Sequence, residues 1–145
     1  MRVGHAGVAL GAKRVCPRLP LWLLLCAAYG PDIIEVTARP FGFRDTLWSH
    51  SLVSLGICAT LLAGVYAVVR RDPRGAAILW LTYVLHWPAD FITGIKPTWP
   101  GGPEVGLLFY KRHEALVWII DLATLGAGWW FYRARRATTA QSAGG

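Results

Sequence analysis

At 145 residues the chain has room for one domain. Its composition, 54% hydrophobic and 16% charged with a mean hydropathy of +0.40, argues against an ordinary soluble domain, in which about a quarter of the residues are charged. A net charge of +7 would direct a soluble protein toward nucleic acid, but here the basic residues lie between apolar runs and at the C-terminus, so they read as a topology signal and nucleic-acid binding is set aside.

The chain opens with a mild apolar stretch over residues 3–12 that carries His5 and predicts a short N-terminal helix. Lys13, Arg14, Pro17, Arg18 and Pro20 then mark a turn. Residues 19–30 are strongly apolar but short of the roughly 20 residues that cross a bilayer. The two stretches read as a helical hairpin whose second arm is a full or partial span. A cleaved signal peptide is disfavoured, because Cys26-Ala27-Ala28-Tyr29 is a poor cleavage site. Longer apolar windows follow at 47–69, 76–95 and 115–132. The last ends on Trp129-Trp130-Phe131-Tyr132 and on Arg133, Arg135 and Arg136, an aromatic belt and a basic stop. The expected fold is an all-α integral membrane protein: a bundle of about four transmembrane helices plus the short N-terminal helix. Residues 1–136 form a single membrane-embedded domain and 137–145 a disordered tail. Cys16, Cys26 and Cys58 have neither CxxC nor Cys/His zinc spacing and read as small apolar residues.

Lys and Arg set the topology. With the segment around Lys13, Arg14 and Arg18, the turn Arg70-Arg71-Asp72-Pro73-Arg74 and the tail from Arg133 all placed in the cytoplasm, the four spans alternate without conflict and the C-terminus is cytoplasmic. The opposite loops hold five of the eight acidic residues: Asp32, Glu35, Asp45, Glu104 and Glu114.

Ionisable residues inside a membrane are costly and mark functional sites. Asp32, Glu35, His50, His86, Asp90, His113 and Asp121 all fall toward the non-cytoplasmic side of this topology. His86 and Asp90 stand four apart on one helix face, with Pro88 between them to kink the helix. Such a pair can present ligands to a divalent metal, or can simply bond internally between helices. If the N-terminal hairpin turns near Cys16, His5 returns to the level of Asp32. His5, Asp32, His50, His86 and Asp90 then form one cluster, enough for one zinc or two bridged metals. Asp121 could orient His113 or contact Thr124. Ser49 and Ser51 flank His50 without a GxSxG elbow, so no serine nucleophile is expected. Arg39 and Arg44 could hold a phosphate or a lipid head group, or be solvated loop charges. The rigid, aromatic segment 96–103 could cover the site or lie at the membrane interface.

His5, Gly30-Pro31-Asp32, Trp48-Ser49-His50-Ser51 and His86-Trp87-Pro88-Ala89-Asp90-Phe91-Ile92-Thr93-Gly94 together resemble the bacterial membrane-bound metal-dependent hydrolase family of small multi-helix inner-membrane proteins. The ligand order is also similar to that of zinc-dependent phospholipase C and the related single-strand nucleases. The resemblance spans about residues 3–121. It implies a bacterial inner membrane, a divalent metal ion (zinc first), and His5, Asp32, His50, His86 and Asp90 as ligands. The second His-x-x-x-Glu pair of the phospholipases is incomplete, since Val117 stands four residues after His113, which leaves one or two metals.

The expected function is a membrane-bound metal-dependent hydrolase acting on a lipid or phosphoester near the non-cytoplasmic face. The metal set is His5, Asp32, His50, His86, Asp90 and His113, and Asp90 or Glu35 serves as base. The alternative is a non-enzymatic multi-pass membrane protein, a transporter subunit or a metal or proton handler. That function would spread polar residues through the membrane depth rather than gather them at one level.

Overall fold

The structure, a computed structural model, describes residues 3–42 and 46–143, with 46, 47, 110 and 135–143 described by backbone alone. Among the described residues it is mostly helical, with one short two-stranded ribbon. In chain order the helices are α1 (Gly4–Val15), α2 (Leu21–Ala28), α3 (Gly30–Ala38), α4 (Leu52–Arg70), α5 (Pro73–Val84), α6 (His86–Thr93), α7 (Phe109–Arg112) and α8 (Glu114–Ala143). Short 3₁₀ turns at Arg39–Phe41 and Thr46–His50 separate α3 from α4. Strands β1 (Lys96–Pro97) and β2 (Glu104–Val105) pair antiparallel between α6 and α7, with Lys96 opposite Val105.

The helix boundaries have local causes. Ser51 caps α4 by accepting from Ser54 N, and Asp72 caps α5 by accepting from Gly75 N. Pro73 follows at the first position of α5, where a missing N–H costs nothing. Pro31 cannot donate to the carbonyl four residues back and crowds it, so α2 and α3 meet at a bend of 66°. Gly30 sits at that bend because a Cβ there would lie 2.2 Å from the Tyr83 ring.

Two helices are long and apolar enough to cross a membrane: α4, with mean hydropathy 2.3, and the Glu114–Ala134 part of α8, with 1.3. The bent pair Leu21–Ala28 and Gly30–Phe41 is a third candidate, as one broken span or a re-entrant loop. By length and composition the described residues thus give two or three spans, where the sequence led us to expect four. The missing one is the window 76–95. Pro88 blocks the hydrogen bond to Val84 and its ring crowds that carbonyl, so the helix divides at Leu85 into α5 and α6. At the other end α8 continues as helix to Ala143.

The core is built of Leu19, Leu24, Leu55, Leu79 and Tyr83 with a high share of alanine, including Ala9, Ala27, Ala28 and Ala59. Small residues let helix backbones approach closely. α1 lies along α8, and α5 packs on α4 and α2. On the outside, α4 exposes Ile57, Leu61, Val65 and Val68 along one face, a stripe that suits an apolar solvent better than water.

Candidate metal centre

Four elements bring the polar residues together. His5 comes from the first turn of α1, Asp32 from the first turn of α3, His50 from the 3₁₀ turn before α4, and His86 and Asp90 from α6. Asp32, His50, His86 and Asp90 each offer one donor atom, and the four atoms all lie within 4.8 Å of one another. This buried Asp-His-His-Asp group could hold a metal ion.

The spacing bears on that capacity. Asp32 Oδ1 lies 3.1 Å from His50 Nε2 and 3.7 Å from His86 Nε2. Asp90 Oδ2 lies 3.3 Å from His86 Nε2 and 3.7 Å from His50 Nε2. Donors held at 2.0–2.2 Å around a tetrahedral ion stand about 3.3–3.6 Å apart. The four separations straddle that range.

The orientation of His86 adds a chemical argument. Its Nδ1 is 2.8 Å from the carbonyl oxygen of Ala28, and only an N–H can face a carbonyl, so Nδ1 carries the proton. The other ring nitrogen, Nε2, is turned toward two carboxylate oxygens at 3.7 and 3.3 Å and has no hydrogen-bond partner. It can meet them through a second ring proton or through a cation held between them. The Ala28 contact is also of the kind that fixes the tautomer of a metal-bound histidine. His50 is held in a related way, with Nδ1 2.9 Å from Ser49 Oγ and 3.7 Å from Glu35 Oε2.

His5 lies beside the group. Its ring stacks on His86 with centroids 4.0 Å apart, and its Nε2 is 3.4 Å from Asp90 Oδ1, the oxygen turned away from the other donors. Glu35 lies at the rim, ion-paired with Arg39. His113 is not brought in: it caps the end of α7, is exposed, and sets its ring against Phe109. Arg44 lies outside the described residues. Asp121 does not reach His113 either. It is fully buried and accepts from the backbone N–H of Gly4 at 3.2 Å and of Val3 at 3.4 Å, so it caps α1, which has no side-chain cap of its own. Asp121→Ala should therefore lower stability by about 1–3 kcal/mol, the cost of orphaning buried donors at a helix start, with Asp121→Asn recovering part of it; thermal midpoints of the three proteins check this.

One contact was not foreseen from the sequence. Lys96 Nζ lies 2.8 Å from Asp90 Oδ2. The lysine reads as an ordinary loop charge in the sequence, and only the turn after α6 folds it back. The ribbon that carries it is tied down where Thr98 O accepts from Leu52 N and Thr98 N donates to Pro103 O. The segment 96–103 therefore bears on the group from one side through a cation.

No protein-family model, curated protein or solved structure matches the chain.

Proposed function

We propose that the chain is an integral protein of the bacterial inner membrane that hydrolyses a lipid or other phosphoester with a divalent metal ion, zinc first, near the non-cytoplasmic face. The carrying observation is His86 Nε2 held against the Asp32 and Asp90 carboxylates, with His50 completing a four-donor group. The order of these residues along the chain, preceded by His5, is the order that resembles the membrane-bound metal-dependent hydrolases. In this proposal α2–α3 and α5–α6 add broken spans to those of α4 and α8, and the Lys and Arg distribution puts the C-terminus in the cytoplasm.

A divalent ion at such a site supplies a water of lowered pKa and polarises the substrate oxygen. The chain's own part is to orient and to accept protons. Asp90 is committed to the donor group and to Lys96, so Glu35, at the rim and 3.7 Å from His50 Nδ1, is the better placed base. Lys96 and Arg39 are the nearby cations for an anionic substrate oxygen.

The test is release of phosphate or alcohol from phospholipid vesicles and from bis-nitrophenyl phosphate by the zinc-loaded protein. We expect turnover that a chelator stops and that His50→Ala lacks. A metal handler without catalysis would bind zinc and leave every ester intact, and that result would sink the hydrolase assignment.

A further inference from the structure

We propose that the apolar groove along the α2–α3 bend seats an acyl chain of a membrane phospholipid and delivers its head-group end to Asp32. This rests on the hydrolase proposal above and names its substrate class. An open groove of about 440 Å³, within the usual size range of a small-ligand pocket, runs along the bent pair. α2 lines it with Leu25, Cys26 and Tyr29, and α3 with Asp32, Ile33 and Val36. The Thr37 hydroxyl at its edge is turned to the carbonyls of Ile33 and Ile34, so it adds nothing polar to the cavity. Tyr29 forms one wall, its ring edge-on at 5.5 Å to His5, which lies beside the donor group.

Exposure within the donor group points the same way. The Asp32 side chain is 38% exposed, while those of His50, His86 and Asp90 are at most 6% exposed. The group is therefore reached along Asp32, and Asp32 lies in this apolar cavity. A water-soluble phosphoester would find no polar partner on the way in. An acyl chain would bury its methylenes against leucine, isoleucine and valine, and would place an ester or phosphate at the one carboxylate-bearing position. Arg39 sits two helical turns beyond Asp32 on the same face of the bent pair, with its side chain 61% exposed, and suits the phosphate of the head group. A second groove of about 460 Å³, on α4 and α5 around Leu52, Val53, Ile57, Leu61 and Trp80, is also largely apolar but has no donor residue, and serves as an internal comparison.

The experiment uses the full chain in vesicles of phosphatidylethanolamine and phosphatidylglycerol doped with a phospholipid carrying a diazirine on its acyl chain. After illumination the adducts are mapped by peptide mass spectrometry, and zinc content and hydrolysis are measured on the same samples. Adducts should concentrate between Leu25 and Val36 relative to the Leu52–Leu61 groove, and excess unlabelled phospholipid, but not inorganic phosphate, should compete them away. Val36→Trp fills the cavity from an exposed position. It should cut labelling there about tenfold, the loss expected when even two methylenes can no longer be buried, with labelling at Leu52–Leu61 and zinc content unchanged. Ile33→Trp is the second variant and should act alike. Equal labelling of both grooves, or labelling indifferent to both tryptophans, overturns the lipid seat. If chelator-sensitive hydrolysis persists in that case, the hydrolase proposal stands without it. If the cavity labels as expected but no ester is ever cleaved, the seat stands and the catalytic assignment falls.

Discussion

Replacing Asp90 with alanine should strip the purified protein of the divalent metal proposed above and destabilise it by about 3–5 kcal/mol, the cost of removing one side of a buried ionic group. Asp90 is 4% exposed, and its two oxygens face four nitrogen-bearing side chains. Oδ1 faces His5 at 3.4 Å, and Oδ2 faces Lys96 at 2.8 Å, His86 at 3.3 Å and His50 at 3.7 Å. Alanine leaves a lysine and three imidazoles around a void with Asp32, 3.1 Å from His50 and 3.7 Å from His86, as the nearest carboxylate beside them. Asn at this position keeps the volume, so it should recover part of the stability while still losing the metal. Glu35→Ala is the contrast. Its ion pair with the largely exposed Arg39 is a surface pair, so the change should cost less than about 1 kcal/mol and leave metal content intact. Elemental analysis and thermal unfolding of these variants, with His86→Ala beside them, separate two arrangements that share the same contacts. A metal centre loses its ion in Asp90→Ala, Asp90→Asn and His86→Ala alike. A purely hydrogen-bonded His–carboxylate network binds no ion in the wild type and responds to the same substitutions in stability alone.

What could be read in the sequence depended on the range over which each residue acts. His86 and Asp90 stand four apart, and an α-helix places such residues on one face whatever surrounds it, so their pairing was legible directly. Asp32 and His50 could be placed on the same side because Lys and Arg mark the opposite one. Pro88 announced an interruption in the window 76–95, but only the structure shows that the interruption is strong enough to divide it at Leu85 into two helices. Contacts that depend on backbone atoms of distant segments left no trace in composition or spacing. The Ala28 carbonyl that fixes His86 is 58 residues away, and the Gly4 N–H that Asp121 accepts is 117 residues away. Lys96 is closer to Asp90 in the chain, yet its direction is set by a ribbon register, Lys96 opposite Val105, which short polar loops do not encode strongly. His113 is the converse case. Its place on the same side of the topology put it among the ligands, but α7 ends at Arg112 and His113 is exposed, with its ring against Phe109.

Gly7→Ala and Gly128→Ala should each destabilise the protein by roughly 1–3 kcal/mol, while Gly11→Ala and Gly126→Ala should not. The four glycines differ in what a methyl group would meet. At Gly7 a Cβ would lie 2.2 Å from the backbone oxygen of Thr124, and at Gly128 a Cβ would lie 2.1 Å from the backbone oxygen of Gly7. Backbone cannot rotate aside as a side chain can, so α1 and α8 must separate. At Gly11 and Gly126 nothing stands within 4 Å, and alanine there gains up to about 1 kcal/mol from helix propensity alone. The separation has a consequence beyond stability. α1 carries His5, whose ring rests on His86 at 4.0 Å and whose Nε2 faces Asp90 at 3.4 Å. Moving α1 off α8 loosens both contacts without touching any of the four donors. Zinc affinity, read by chelator competition, should therefore fall about tenfold in Gly7→Ala, in line with the loss of a supporting contact to a metal ligand, and stay unchanged in Gly11→Ala. Equal affinities and equal thermal midpoints in the two variants would mean that α1 does not rest on α8 at Gly7. In that event His5 could not be held against Asp90 by this packing.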